Sequence, residues 1–481
     1  MSDRVSRVLE NFEALNRIPR CSKNEKMISN WLVDWAKDHG FEAKQDEVFN
    51  VLIKVPATMG FENSPTLILQ GHMDMVCVRG DSSNHDFSND PIKIIQDGEW
   101  LKADNTTLGA DNGIAIAMAM AFAEDTELQH PPLELLFTVD EETGLTGASK
   151  LTTDFLDGRV LINIDSEDEG YFTIGCAGGA NVKIKKSFTK SDADGMKFIK
   201  VNISGLKGGH SGIEINEPRV NAIKVLSEIL DQLSDFNIRI YSISGGIAHN
   251  AIPSNAEVVF AINAGDLPNV LNKVLQDENQ LMNKYSKIEE NINIFSGEVF
   301  ISDEAATAYN AEESREIINL LQNLPHGVMK MSEIVEGAVE TSCNLAQIST
   351  TEDKIVLTMS LRSNVDASID GLRNKIETIA AENNASILTS GQYPSWQPNT
   401  ESELVSKCKS IYEQTFNKSP KIEVIHAGLE CGIIGSKYEG MDMISLGPTI
   451  KHPHTPVEKL HIPSLERVWT LLERVVESYK D

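Results

Sequence analysis

The stretch Leu67-Ile68-Leu69-Gln70-Gly71-His72-Met73-Asp74-Met75 is an apolar run that ends abruptly in a His-x-Asp pair. A short apolar segment closed by glycine predicts a buried central strand. The two-residue period of a strand puts His72 and Asp74 on one side of the chain as it leaves the sheet. A carboxylate there can accept the second ring N–H of a metal-bound imidazole, which fixes the tautomer and raises ligand basicity. The same pattern recurs downstream. Residues 133–139 form a second apolar run, ending in Asp140, Glu141 and Glu142, and residues 160–164 a third, ending in Asp165. Between them, residues 107–113 lead into an Ala- and Met-rich run of high helix propensity, so Asp111 sits where a loop becomes a helix. A carboxylate at such a place either caps the helix or binds a ligand. Strands alternating with helices imply an α/β domain, a mixed and mostly parallel sheet flanked by helices, with ligands gathering at the carboxyl ends of the strands.

At 481 residues the chain exceeds the size of one hydrophobic core, so more than one domain is expected. The pattern changes near residue 190, from apolar strands ending in acids to amphipathic strands and long polar helices, and changes back near residue 395. The expected division is a first domain over 1–190 and 395–481, with an α+β domain inserted at 191–394. Within the insertion the order of elements recurs faintly, as two similar halves would. Charge narrows the partners. Forty-three Lys and Arg against seventy-one Asp and Glu leave a net −28, which argues against nucleic acid or an anionic membrane and fits small neutral or cationic ligands. The six cysteines, Cys21, Cys77, Cys176, Cys343, Cys408 and Cys431, show no C-x-x-C spacing. Neither a disulfide framework nor a thiolate zinc site is expected, and a reducing compartment follows. Residues 1–16 lack the apolar core of a secretory signal, and no later run is long enough to cross a bilayer, so the expected location is the cytoplasm.

The strand-end residues make one chemical set: His72, Asp74, Asp111, Glu141, Glu142 and Asp165, joined by residues 451–458 with His452 and His454. It holds imidazoles and carboxylates but no thiols, which suits zinc, manganese or cobalt, with too few oxygens for a dedicated calcium cage. With one bridging carboxylate and two terminal ligands per ion, five residues could hold two metals, clamping a water and lowering its pKa toward neutrality.

Seven stretches carry a family resemblance: Gly71-His-Met-Asp-Met, Leu108-Gly-Ala-Asp-Asn-Gly-Ile, Glu141-Glu-Thr-Gly, Asn163-Ile-Asp-Ser-Glu, Leu206-Lys-Gly-Gly-His-Ser-Gly, His426-Ala-Gly-Leu-Glu-Cys-Gly and Gly447-Pro-Thr-Ile. In order, over essentially the whole chain, they resemble the aminoacyl-histidine dipeptidases of the carnosinase and aminoacylase group of two-metal peptidases. The resemblance implies that Asp111 bridges two divalent ions, most simply Zn2+ with Co2+ and Mn2+ as alternatives. His72 and Asp165 would complete one ion, Glu142 and His454 the other. Asp74 would orient His72, and Glu141 would be the general base. From the inserted domain, a lid in this group, His210 would stabilise the oxyanion, and Asn250 and Arg362 would grasp the substrate. The choice of His454 over His452 rests on the Thr-Pro-x-Glu that follows. The implied substrates are dipeptides with a free amino terminus, Xaa-His included, and a homodimer is compatible. Two other functions fit the same residues: an N-acyl amino acid deacylase and a non-catalytic metal-binding scaffold. The joint presence of Glu141, Asp74 and His210 argues against the scaffold, since storage needs none of them. Read without the resemblance, His210 is a polar turn histidine, Arg362 a strand-end surface charge, Glu167 and Asp168 a solvated acidic turn, and His249 and His426 either accessory site groups or, the preferred reading, structural ones.

Overall fold

The apolar run forms the strand Leu67–His72, buried at every position. The computed structural model describes residues 2–302, 306–351 and 353–480. These divide into two units, one made of 1–176, 396–424 and 429–481, the other of 177–395 and 425–428.

The first unit is built on an eight-stranded sheet in the order Glu42–Gln45, Val51–Val55, Leu133–Thr138, Leu67–His72, Val160–Asn163, Asp442–Ser445, Tyr171–Cys176 and Lys421–Ile425. Its four central strands, from Leu133–Thr138 to Asp442–Ser445, run parallel, with His72 opposite Thr138 and Gln70 opposite Asn163. That register aligns the carboxyl ends from which His72, Glu141 and Asp165 project. Continuous apolar runs suit strands buried on both faces. The helix Ala110–Glu124 covers one of those faces and is buried from Asn112 to Phe122, apolar all round rather than striped. Helices at the margin are striped instead. Asp3–Leu15 buries Val5, Val8, Phe12 and Leu15, and Lys26–Asp38 buries Ile28, Leu32 and Trp35, at the three-to-four-residue spacing of one helix face. Each such side chain contributes about 1.5–3 kcal/mol of transfer free energy. A small sheet, Ile450–Lys451, Lys459–His461, Trp100–Ala103 and Ile94–Asp97, pins both ends of the loop carrying His454.

One expectation about this unit fails. Cys21 and Cys77 form a disulfide, while Cys176, Cys343, Cys408 and Cys431 are buried thiols. Cys21 bridges the backbone of Met75, so two segments distant in sequence run side by side. Spacing rules detect only nearby pairs, and 56 residues separate these two. The cysteine pattern therefore gives no argument for a reducing compartment.

The second unit carries an antiparallel sheet in the order Asn293–Val299, Lys197–Ser204, Ala256–Ile262, Arg239–Gly245, Val339–Thr350, Lys354–Ser363, Gly178–Ser187 and Ser386–Tyr393, with Gly327–Met331 also paired to Val339–Thr350. Helices Ala222–Gln232, Leu267–Tyr285, Ala311–Asn323 and Asp366–Glu382 share one hydrophobic core with these strands. A helix, three strands and a helix follow one another twice, first over 222–285 and then over 311–382. Among the described residues no helix is long and apolar enough to cross a membrane.

Candidate metal centre

The geometry of the first unit's strand ends begins with His72, which is 1% exposed. Its Nδ1 lies 3.1 Å from the carbonyl of Asp74 and 3.3 Å from Asp74 Oδ1. Its Nε2 points the other way, 3.2 Å from Asp111 Oδ1 and 3.5 Å from Asp165 Oδ1. Asp74, fully buried, does more than hold this ring. Its carboxylate also accepts the N–H of Glu141 at 3.0 Å, the N–H of Glu142 at 3.3 Å and the hydroxyl of Ser22 at 2.8 Å. One side chain thus sets both the imidazole and the turn bearing the two glutamates.

Asp111 does not cap its helix. Its backbone is extended, with ψ 106°, and no side-chain cap bond forms. Its two oxygens separate instead, Oδ1 toward His72 and Oδ2 3.0 Å from His454 Nε2. Glu142 Oε1 is also 3.0 Å from His454 Nε2, though not in hydrogen-bond geometry, and is buried without a hydrogen-bond partner. Four groups of donor atoms lie within 4.8 Å of one another among the described residues, of which two, His72–Asp111–Asp165 and Asp111–Glu142–His454, share Asp111, the others being His72–Glu141–Glu142 and Glu25–Asp74–Asp140. His452 belongs to no such group among the described residues and lines a separate cavity with Trp100 and Val457. Asp140 turns away from the imidazoles, its carboxylate accepting the hydroxyls of Thr143 and Thr146.

This set fits cations. A neutral imidazole Nε2 can carry one hydrogen, yet each of these nitrogens faces the oxygens of two carboxylates. A divalent ion can be shared by all of them, and nitrogen with oxygen is the donor chemistry of zinc, manganese and cobalt. The electrostatics agree. Burial raises the Glu141 carboxyl well above the usual range against the pull of His72, with Asp165, Glu430 and Glu142 adding to the rise. Burial lifts Asp165 to about 6, and lifts Glu167 to about 8 with the charges of Asp111 and Asp165. Glu167 is half-buried rather than fully solvated. Asp168 is paired on the surface with Lys451.

Beneath the centre lies a polar layer that no local sequence signal announces. Glu430, fully buried and pushed up to about 7 by burial, accepts from Gln70 Nε2 at 2.7 Å and the Thr138 hydroxyl at 2.6 Å. Asn112 joins the strands, taking the N–H of His72 at 3.2 Å and donating to the carbonyl of Ile164 at 2.7 Å. A Cβ at Gly71 would lie 2.4 Å from Asn112 Oδ1, which is why the run closes on glycine.

In the second unit, strand pairing of His210 with Ala251 sets the His210 loop against the Asn250 loop, and the Asn250 carbonyl accepts the N–H of Ser211. His210 Nδ1 accepts the N–H groups of Gly212 at 3.2 Å and Ile213 at 3.1 Å, so the ring proton sits on Nε2. Burial and the Arg362 charge lower its pKa and keep it neutral. Arg362 is only 8% exposed, not a surface charge, and donates to the Tyr393 hydroxyl at 3.0 Å, while its Nε is buried without a hydrogen-bond partner. A Cβ at Gly212 would meet the His426 carbonyl, His210 Cε1 and Arg362 Nε, so the three side chains' segments converge on that glycine. His426 Nε2 bonds Ser342 Oγ at 2.7 Å, whereas His249 is exposed.

Comparison with known proteins gives the family. The model of peptidase family M20/M25/M40 matches residues 68–478. The cytosol non-specific dipeptidase of Escherichia coli (strain K12) is 38% identical over 472 residues, 97% of this chain and 96% of that one. The aminoacylhistidine dipeptidase from Vibrio alginolyticus superposes with a TM-score of 0.91 at 38% identity, covering 98% of this chain and 96% of that one. The aminopeptidase PepT from Bacillus cereus ATCC 10987, at 16% identity and a TM-score of 0.58, covers 99% of each chain and shares the fold. A chain that matches over nearly its full length, and that gathers carboxylates and imidazoles where its parallel strands end, belongs to peptidase family M20/M25/M40.

Proposed function

We infer that the chain is a cytoplasmic metallo-dipeptidase that hydrolyses dipeptides with a free amino terminus, Xaa-His among them. The single observation that carries this reading is Asp111, shared between two ligand groups with Glu141 beside them. The named activities of the Escherichia coli and Vibrio relatives support the substrate class. His72, Asp111 and Asp165 would hold one divalent ion, and Asp111, Glu142 and His454 the other, with Zn2+ favoured and Co2+ or Mn2+ sharing its donor preferences. Ions bound there polarise the peptide carbonyl and bring the pKa of water toward neutrality.

The protein's own groups do the rest. Glu141 takes the proton of the attacking water and passes it to the leaving amine. Asp74 keeps His72 and the Glu141–Glu142 turn in place through the hydrogen bonds described above. From the inserted unit, neutral His210 offers Nε2–H to the developing oxyanion. Arg362 and Asn250 hold the substrate, the guanidinium taking its terminal carboxylate.

The test is a panel of dipeptides, carnosine and N-acetyl amino acids, run on chelator-stripped protein and on protein reloaded with Zn2+, Co2+ or Mn2+. Metal-dependent cleavage of the dipeptides is expected. Turnover of the N-acetyl amino acids alone would make the chain a deacylase, and metal uptake without turnover would make it a scaffold.

A further inference from the structure

Three segments bring the ligands of the centre together, and two buried charged side chains join those segments. Arg20, 2% exposed, donates from Nη1 to the carbonyls of Met73 at 3.1 Å and Asp74 at 3.3 Å, and from Nη2 to that of Gly109 at 2.6 Å. It ties the segment after His72 to the one before Asp111. Glu458, also 2% exposed, makes a second tie through N–H donors. Its Oε2 accepts from Leu108 at 2.7 Å and Gly109 at 3.1 Å, its Oε1 from Ala110 at 2.8 Å and Asp111 at 3.4 Å.

These four consecutive amides belong to the turn that leads into the helix, Leu108 and Gly109 standing before its first residue and Asp111 being itself extended, and a carboxylate is the acceptor that a row of such N–H groups favours most. A capping acid ordinarily comes from the residue just before the helix. Here it comes from more than three hundred residues away, out of the same loop as His454, and the helix's own acid, Asp111, is left free to face both imidazoles. Only three residues lie between His454 and this anchor, so little slack separates the two ligands.

We propose that Glu458 is a positioning residue of the metal centre: by gripping the amides of residues 108–111 it fixes Asp111 relative to His454. The proposal rests on the metal-centre reading given above. Its test titrates Zn2+ into chelator-stripped wild type, Glu458→Gln, Glu458→Asp and Glu134→Gln, with folding followed by circular dichroism and urea unfolding. Glutamine keeps the shape but turns an NH2 toward N–H donors, and aspartate keeps the charge one methylene short. Glu134 is the control, 1% exposed and accepting the N–H groups of Asp157 and Gly158, but near the amino end of Leu133–Thr138, opposite the end that leads to Glu141.

Zn2+ affinity is expected to fall about 10–100-fold in Glu458→Gln, as for other groups that orient metal ligands, and less in Glu458→Asp. Turnover should drop while KM holds, and Glu134→Gln should lose stability without losing Zn2+ affinity. Wild-type affinity in either folded Glu458 variant overturns the proposal. An equal loss in Glu134→Gln overturns it too, and so does failure of both Glu458 variants to fold, since Glu458 would then serve the fold alone. A wild type that takes up no Zn2+ is a different result, which overturns the metal-centre reading along with the proposal.

Discussion

At the scale of single residues, the first unit divides acidic side chains by what they face. Glu141 and Glu142 are neighbours, yet one is buried among carboxylates beside His72 while the other reaches His454. Replacing Glu141 with Ala is expected to lower turnover by about 10²–10⁴-fold, the range for a general acid–base group, with bound metal near normal by atomic absorption. A variant keeping most of its activity would remove Glu141 from that role. Asp111→Ala should instead lower occupancy of both ions in the same assay, because both groups use it. Loss of a single equivalent would assign it to one ion only. These acids were legible in the sequence because strand-end placement is a local property. Arg20 was not, because its partners lie tens of residues away and nothing near it marks it, and although Glu430 and Glu458 stand inside recognised stretches, their roles were not legible because their partners lie hundreds of residues away.

At the scale of elements, the centre depends on how closely the strand Leu67–His72 and the helix Ala110–Glu124 approach. Gly71 faces Asn112 and Ala115, and a Cβ there would lie 2.4 Å from one and 2.7 Å from the other. Gly71→Ala is expected to cost about 1–3 kcal/mol, the usual range for overpacking, in urea unfolding of the metal-free protein. It should also weaken Zn2+ binding, because Asn112 takes the N–H of His72. Unchanged stability would show that the helix shifts freely. The strands, the buried helix and the marginal amphipathic helices follow from hydrophobic period, and the element types match. Between the two local readings of Asp111, capping or ligand binding, the outcome turned on something no local rule sees, since Glu458 takes the amides there. The Cys21–Cys77 pair was missed for the same reason, since adjacency of two loops has no local pattern.

At the scale of the whole molecule, two measurements follow from charge. Ions bound only by the folded state stabilise it, by about 2.7 kcal/mol at a free concentration of 100 Kd, so chelation should lower Tm and reloading should restore it. The second concerns the inserted unit, where burial and Arg362 lower His426 to about 3. A histidine depressed in the folded state stays neutral there while the unfolded chain takes up a proton, so stability is full above the unfolded pKa of about 6.5 and is lost as pH falls toward the folded value. In that window His426→Gln should show a shallower decline of unfolding free energy than wild type, by up to about 1.4 kcal/mol per pH unit. Equal slopes would mean that His426 titrates normally. By itself the sequence determined which segments are strands and helices, that the molecule has an α/β part with an insertion, and which acids and histidines stand at strand ends, because those depend on spacing along the chain. The tertiary structure alone decided that Asp74 also holds the Glu141–Glu142 turn, that Glu430 lies beneath the centre, and that Glu458 and Arg20 bind the segments together, and it brought Asp111 and His454, which the family resemblance had singled out, within reach of each other. Those relations depend on distances between residues far apart in sequence, which exist only once the sheet has aligned its ends.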